Sequence, residues 1–289
     1  AAANLDELAS SSHEVSRLVA DAPRTSTGEK VSSSLVEVPP SLVEVRGAQA
    51  TSLETPHADL ETPHADTAPE DTTMFVDLTP EQYALRDEMR SYFTGLVSAE
   101  DAREMLVDRH GPAYRKVIKQ MGDDGRLGVG WPKEYGGKGF GEIEQQLFTN
   151  EAVRADVPLP SVTLQTVGPT LQALGTEEQK QRFLPAILAG EVHFAIGYTE
   201  PDAGTDLASL TTTAVRDGDH YIVNGQKIFT TGGHDADYIW LACRTDKEVP
   251  KHKGITILIV DTTDPGFSWT PIITADGAHH VNATYYNDV

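Results

Sequence analysis

The stretch IGYTEPDAGTD, residues 196–206, and the stretch VNGQKIFTTGG, residues 223–233, decide how this chain is read. Each sets glycines and small hydroxyl side chains beside strand-like sequence. Thr199 and Thr205 lie on the first, Thr230 and Thr231 on the second. Glycine lets a backbone approach a ligand closely, and short hydroxyls offer donors without bulk. Two such segments suit a flat polar heterocycle that needs hydrogen bonds along one edge and nothing bulky over its reactive face. Taken singly, these hydroxyls are also ordinary turn and strand chemistry.

Working outward, the sequence alternates over 211–216, turns at Asp217-Gly218, returns through 221–223 and turns again at Asn224-Gly225. Both dipeptides favour the left-handed backbone of tight hairpins. The apolar runs 236–244 and 254–261 suit the interior of a sheet, and YYNDV closes the chain inside another strand-like run. Cys243, the lone cysteine, lies in IWLACRT and reads as packing; an internal disulfide is excluded. On the N-terminal side the period becomes helical. Thr79-Pro80-Glu81-Gln82 places a hydroxyl cap, a proline and a reciprocal glutamine at a helix start. That helix is predicted to run to about Val97, followed by helices over 112–121, 142–155, 159–174 and 177–188. The glycine-rich connector 125–141 lacks a preceding β-branched strand, which argues against a dinucleotide loop. The expected fold class is therefore α+β and multidomain: a helical domain over 74–190, then an antiparallel, barrel-like β domain over 191–289.

Residues 1–73 differ in kind. They contain no Phe, Tyr or Trp and repeat SLVEV and LETPHAD. With so little apolar surface the segment is expected to stay disordered; since Met74 stands just before the first helix it reads as non-native leader sequence, the alternative being a partner-binding tail. A net charge of −21 argues against nucleic acid as a partner. No apolar run has the length of a membrane span and no charged-then-apolar leader opens the chain, so the expected location is the cytoplasm.

The two threonine-bearing stretches, in this order and with a hairpin between them, resemble the acyl-CoA dehydrogenase family. The resemblance covers residues 75–289. It implies the family's helical and middle β domains, with the C-terminal helical bundle missing, and FAD as cofactor. The implied cofactor-binding positions are Ile196, Gly197, Tyr198, Thr199, Gly204, Thr205, Phe229, Thr230 and Thr231. In the family's arrangement Thr199 and the backbone at Tyr198 face the pyrimidine side of the flavin, and Thr231 donates toward N5. Phe229 stands where many relatives have tryptophan. Thr205 takes the place of a residue that contacts the pantetheine arm of the acyl-CoA substrate. The implied reaction is α,β-dehydrogenation of an acyl-CoA thioester in lipid metabolism, with an electron-transfer flavoprotein as acceptor and a homo- or hetero-tetramer as the assembly. The catalytic base is expected on the missing domain, so no catalytic residue is nominated and this length of chain is expected to be inactive alone. The runs DRHGPAYRKVIKQMGDDGRLGVGWPKEYGG, HFAIGYTEPDAGTDLASL and GAHHVNATYYNDV resemble one subunit of the heteromeric actinobacterial dehydrogenases of steroid side chains. The competing readings are an acyl-CoA oxidase, a flavin-dependent hydroxylase on the same fold, and a non-catalytic partner subunit.

Other constellations read as structural. Glu200 and Asp206 are loop carboxylates rather than an acid–base pair. His234-Asp235-Ala236-Asp237 mimics a metal pair at a strand entrance, and His279-His280 lacks a spaced third ligand. His57 and His64 sit in the repeats with no further ligand nearby. Asn282-Ala283-Thr284 is a formal glycosylation sequon.

Overall fold

The computed structural model describes residues 36–37 and 77–289. Helix α1 (Pro80–Phe93) starts as its sequence dictates: the Gln82 amide donates to Thr79 Oγ1 at 3.2 Å, and the Thr79 amide donates to Gln82 Oε1 at 3.0 Å. It ends at Phe93, short of the expected Val97, and a separate helix α2 (Ala99–Val107) follows. Ser98 caps α2 by accepting from the Asp101 amide at 3.0 Å, a start signal just past the end of the expected helix that the sequence reading left unused. Next come α3 (Pro112–Asp123) and α4 (Glu142–Arg154). The stretch predicted as a single helix over 159–174 divides into a π-helical segment, Val162–Val167, and α5 (Gly168–Leu174). Helix α6 (Glu177–Leu188) carries the Thr176–Gln179 capping box.

The strands are β1 (Val36–Glu37), β2 (Phe194–Gly197), β3 (Thr213–Asp217), β4 (His220–Thr231), β5 (Tyr238–Arg244), β6 (Ile255–Asp261), β7 (Phe267–Ile273) and β8 (His279–Tyr286). They lie in the order β1-β6-β5-β3-β4-β8-β7, with β2 beside β5. Most pairings are antiparallel, but the sheet is mixed: β2 runs parallel to β5, and β3 meets β5 in parallel at Thr213 and Arg244. The β3–β4 hairpin intervenes between β2 and β5, and so long a crossover lets two strands enter a sheet in the same direction. The two-residue turn between β3 and β4 is as expected, with Gly218 at φ 63°.

Asn224-Gly225 is not a turn. Strand β4 continues through it, and Gly225 is needed for close approach, because a Cβ there would stand 2.5 Å from Thr212 Oγ1. Strand β1 pairs Val36 with Ile259 and Glu37 with Leu258. The rest of 1–73, including His57 and His64, lies outside the described residues.

The helices and the sheet share one apolar core in which Phe183 and Ile187 of α6 pack with Phe194 of β2 and Trp240 of β5. A second core of Val223, Ile239, Leu241, Cys243, Leu258 and Tyr286 fills the sheet region, and burial pushes the Cys243 thiol up to about 12. Arg115 on α3 clamps helices to sheet, with Nε 2.7 Å from Asp235 Oδ2 and Nη1 3.0 Å from Asp237 Oδ2. No helix among the described residues is long and apolar enough to cross a membrane.

Candidate functional site

The end of β2 runs into the loop carrying Tyr198, Thr199 and Glu200, and β4 comes alongside it. The Ile228 amide donates to the Thr199 carbonyl at 2.8 Å. Lys227 Nζ donates to the Tyr198 carbonyl at 3.1 Å and to Glu200 Oε1 at 2.8 Å. Glu200 also accepts from the Thr211 amide and hydroxyl, each at 2.7 Å, and from the Thr212 amide at 2.8 Å. Both charged side chains are buried. Burial alone would push the Glu200 carboxyl up, but hydrogen bonds from Lys227, Thr212 and Thr211 outweigh it and hold the group at about 2. Glu200 is thus an anchor, with both oxygens engaged, and not a free acid or base.

Above this anchor lies a cleft of about 130 Å³. Thr199, Tyr198 and Ile196 line it from the first loop, Ile228, Phe229 and Thr231 from β4, and Val162 from the π segment. The β4–β8 register slips between Lys227 and Thr230, and this bulge turns Phe229 outward. Phe229 holds φ 60°, a left-handed conformation that residues other than glycine rarely take, and the residue is 61% exposed. Such strain persists only where surroundings enforce it, and it concentrates at ligand-binding sites. Tyr198 is fixed by its hydroxyl, which accepts from Trp240 Nε1 at 3.2 Å.

Of the positions expected to meet a cofactor, Ile196, Tyr198, Thr199, Phe229 and Thr231 converge on this cleft. The others stand differently. Gly197 is buried in β2, where a Cβ would press on Ile239 and Leu241. The Thr230 side chain is turned inward and fully buried, its hydroxyl 3.2 Å from that of Thr284, and Thr230 does not line the cleft. Gly204 and Thr205 are exposed in the loop and do not themselves line the cleft, although a Cβ on Gly204 would stand 3.9 Å from Thr199 Cγ2. Sequence reading missed Lys227, Ile228 and Val162. For Lys227 a signal existed, since strand alternation places it on the same face as buried Val223.

A second cavity of about 190 Å³ adjoins the first, and Val162 and Thr231 line both. Its wall includes His110, His193 and Asp235. Burial pushes each histidine down to about 4, so both are neutral near pH 7. Burial raises the Asp235 carboxyl to about 6 against the pull of Arg115.

The residues of His234-Asp235-Ala236-Asp237 are engaged structurally: Asp235 and Asp237 bind Arg115, while His234 stacks on His279 at 4.0 Å and meets Asp108 at 3.2 Å. Among the described residues no group of three or more His, Cys, Asp or Glu side chains is arranged to hold a metal. Asn282 and Thr284 of the sequon are fully buried, and Asn282 Nδ2 donates to the Thr230 carbonyl at 3.2 Å.

The N-terminal domain of acyl-CoA dehydrogenases matches residues 79–191, and the middle domain of the same enzymes matches residues 195–289. The chain belongs to the acyl-CoA dehydrogenase family. Acyl-CoA dehydrogenase FadE29 of Mycobacterium tuberculosis (strain ATCC 25618 / H37Rv) is 78% identical over 216 residues, covering 75% of this chain and 56% of that protein. Mitochondrial isovaleryl-CoA dehydrogenase of Pongo abelii is 35% identical over 66% of this chain and 46% of its own length. Among solved structures, the Tcur3481-Tcur3483 steroid ACAD superposes with a TM-score of 0.72 at 56% identity, over 75% of this chain and 56% of that one. The ChsE4-ChsE5 complex from M. tuberculosis gives 0.70 at 55% identity, over 75% and 55%. The chain therefore spans about half the length of the relatives it matches. Members of the acyl-CoA dehydrogenase family are flavoproteins acting on CH–CH groups, and this chain has their helical layer followed by a mixed β-sheet.

Proposed function

We propose that this chain contributes the FAD-contacting part of an enzyme that dehydrogenates an acyl-CoA thioester between its α and β carbons, the acyl group being a steroid side chain. The observation that carries the reading is the convergence of Thr199, Thr231 and Phe229 on one cleft. The donor set suits a flavin. Hydroxyls stand on the cleft, apolar Ile196, Ile228 and Val162 line it, and Phe229 is held in a strained backbone with its ring free to pack on a flat partner. When bound, the flavin supplies the hydride acceptor. Thr199 and Thr231 orient its edge by donating hydrogen bonds, while the apolar residues keep water from the reacting carbons. Thr205, exposed on its loop, is available to the pantetheine arm of the substrate.

None of the residues lining the cleft is a carboxylate, Glu200 is fully engaged by Lys227 and two threonines, and Asp235 is held by Arg115. The proton acceptor in this reading comes from elsewhere in the protein. The division into a helical domain over 74–190 and a flavin-contacting domain over 191–289 belongs to the same proposal, as do an electron-transfer flavoprotein acceptor, a cytoplasmic location and assembly with an unlike partner subunit. The steroid substrate and the unlike partner are inferred from the similarity to the steroid ACAD and to the ChsE4-ChsE5 complex.

The native-length protein is expected to elute yellow from gel filtration, with flavin absorbance in the protein peak. Thr231→Val is expected to weaken flavin retention by about tenfold, the usual effect of losing one hydrogen bond to a buried ligand. A colourless wild-type protein, or a Thr231→Val variant with unchanged flavin affinity, would refute the assignment. Peroxide release on reoxidation by oxygen would redirect it to an oxidase.

A further inference from the structure

Residues Val162–Val167 leave α geometry for the wider π turn, and the sequence supplies the cause. The Gly168 amide donates to the Thr163 carbonyl, five residues back. The next bond of that series would run from residue 169 to Leu164, but residue 169 is proline and has no N–H. The Leu164 carbonyl is satisfied instead by a buried hydrogen bond from the Trp131 indole, with Nε1 at 2.8 Å. Trp131 can reach it because residue 168 is glycine; a Cβ there would overlap the indole ring. Pro169 lies in the first turn of α5, where a missing donor is tolerated, and α geometry resumes there without a break in the helix. Trp131, Gly168 and Pro169 account for one another.

The location of this turn gives it a task. Short π segments recur at functional sites because they re-aim side chains. Here Val162 opens the segment and lines both the Thr199–Thr231 cleft and the adjoining cavity that holds His110 and His193. Its neighbour Thr163 is held as well, since its hydroxyl accepts from the Phe194 amide of β2 at 3.0 Å. The segment is therefore pinned by the sheet on one side and by Trp131 on the other.

We propose that Trp131 is a positioning residue: by holding the Leu164 carbonyl it fixes Val162 at the partition between the two cavities, and so sets how bulky an acyl group can pass from one to the other. The proposal rests on the reading of the cleft as the flavin and acyl site. Its test uses the native-length protein with Trp131→Phe, which keeps a ring against Gly168 but removes the indole N–H. Amide hydrogen exchange over residues 162–174 is expected to quicken roughly tenfold relative to the rest of the chain, as befits one lost buried hydrogen bond. The KM for a ring-bearing acyl-CoA is expected to change about tenfold relative to that for a short straight-chain acyl-CoA, with kcat for the short substrate nearly constant. In a Pro169→Ala background, which returns a backbone donor, both effects of Trp131→Phe should shrink. Unchanged exchange in this segment, an equal KM change for both substrates, or an undiminished effect in the Pro169→Ala background would overturn the proposal. A wild-type protein without flavin would overturn the cleft assignment instead, and the exchange measurement separates that failure from this one.

Discussion

Lys227 and Glu200 place two full charges in the interior, and their value lies in what they hold together. Lys227 reaches Tyr198 and Glu200 while the adjacent Ile228 amide reaches Thr199, so three consecutive loop residues are tied to two consecutive strand residues. Removing one partner of a buried pair leaves the other uncompensated. Lys227→Met is accordingly expected to destabilise the native-length protein by about 3–5 kcal/mol in urea unfolding. Adding Glu200→Gln should recover part of that loss, because the stranded charge disappears with it. A double variant no more stable than the single one would contradict this account. The inward face of Lys227 could be read from strand alternation, but its partner lies on a distant loop that alternation does not reach. Phe229 offered no such cue, since nothing in the dipeptide Ile228-Phe229 announces a bulge or a left-handed backbone.

At the level of elements, the informative cases are those where a local signal had two meanings. Thr79 and Thr176 marked helix starts correctly because a cap is satisfied within four residues and needs no tertiary help. Asn224-Gly225 carried a turn signal, yet β4 passes straight through it. The glycine answers a neighbour, Thr212, that becomes visible only after folding. Gly225→Ala is thus expected to cost about 1–3 kcal/mol through crowding. Thermal unfolding compared with Gly218→Ala would check it: Gly218 has open space around its missing Cβ, so that change should show the backbone penalty alone. Equal losses at the two sites would rule out the close-approach explanation. The π segment was likewise hidden, because periodicity over 159–174 is helical in either form. Pro169 was the one local hint of a change in helical turn, and the donor that replaces its amide comes from Trp131, far away in sequence. The two threonine stretches were legible because both sides of the cleft are short and contiguous; Val162, the third side, arrives from another layer.

Taken whole, the molecule joins helices to sheet through a seam containing His110, His193 and Asp235. Burial, the leading cause for both histidines, holds them near 4 against an ordinary value near 6.5. Between those limits the unfolded chain binds more protons than the folded one, so stability rises with pH. Asp235, raised by burial to about 6, works in the opposite sense over its own interval. Two groups oppose one, and the melting temperature is expected to climb as pH goes from about 4.5 to 6.5. Thermal melts across that range check the sign, and a flat or falling profile would contradict it. Burial at Asn282 and Thr284 has a practical corollary for anyone producing this protein. A secretory host that attaches oligosaccharide to the emerging chain would modify a side chain destined for the space beneath Thr230, and β8 could then no longer close onto β4. Expression routes that bypass such processing should yield the folded form.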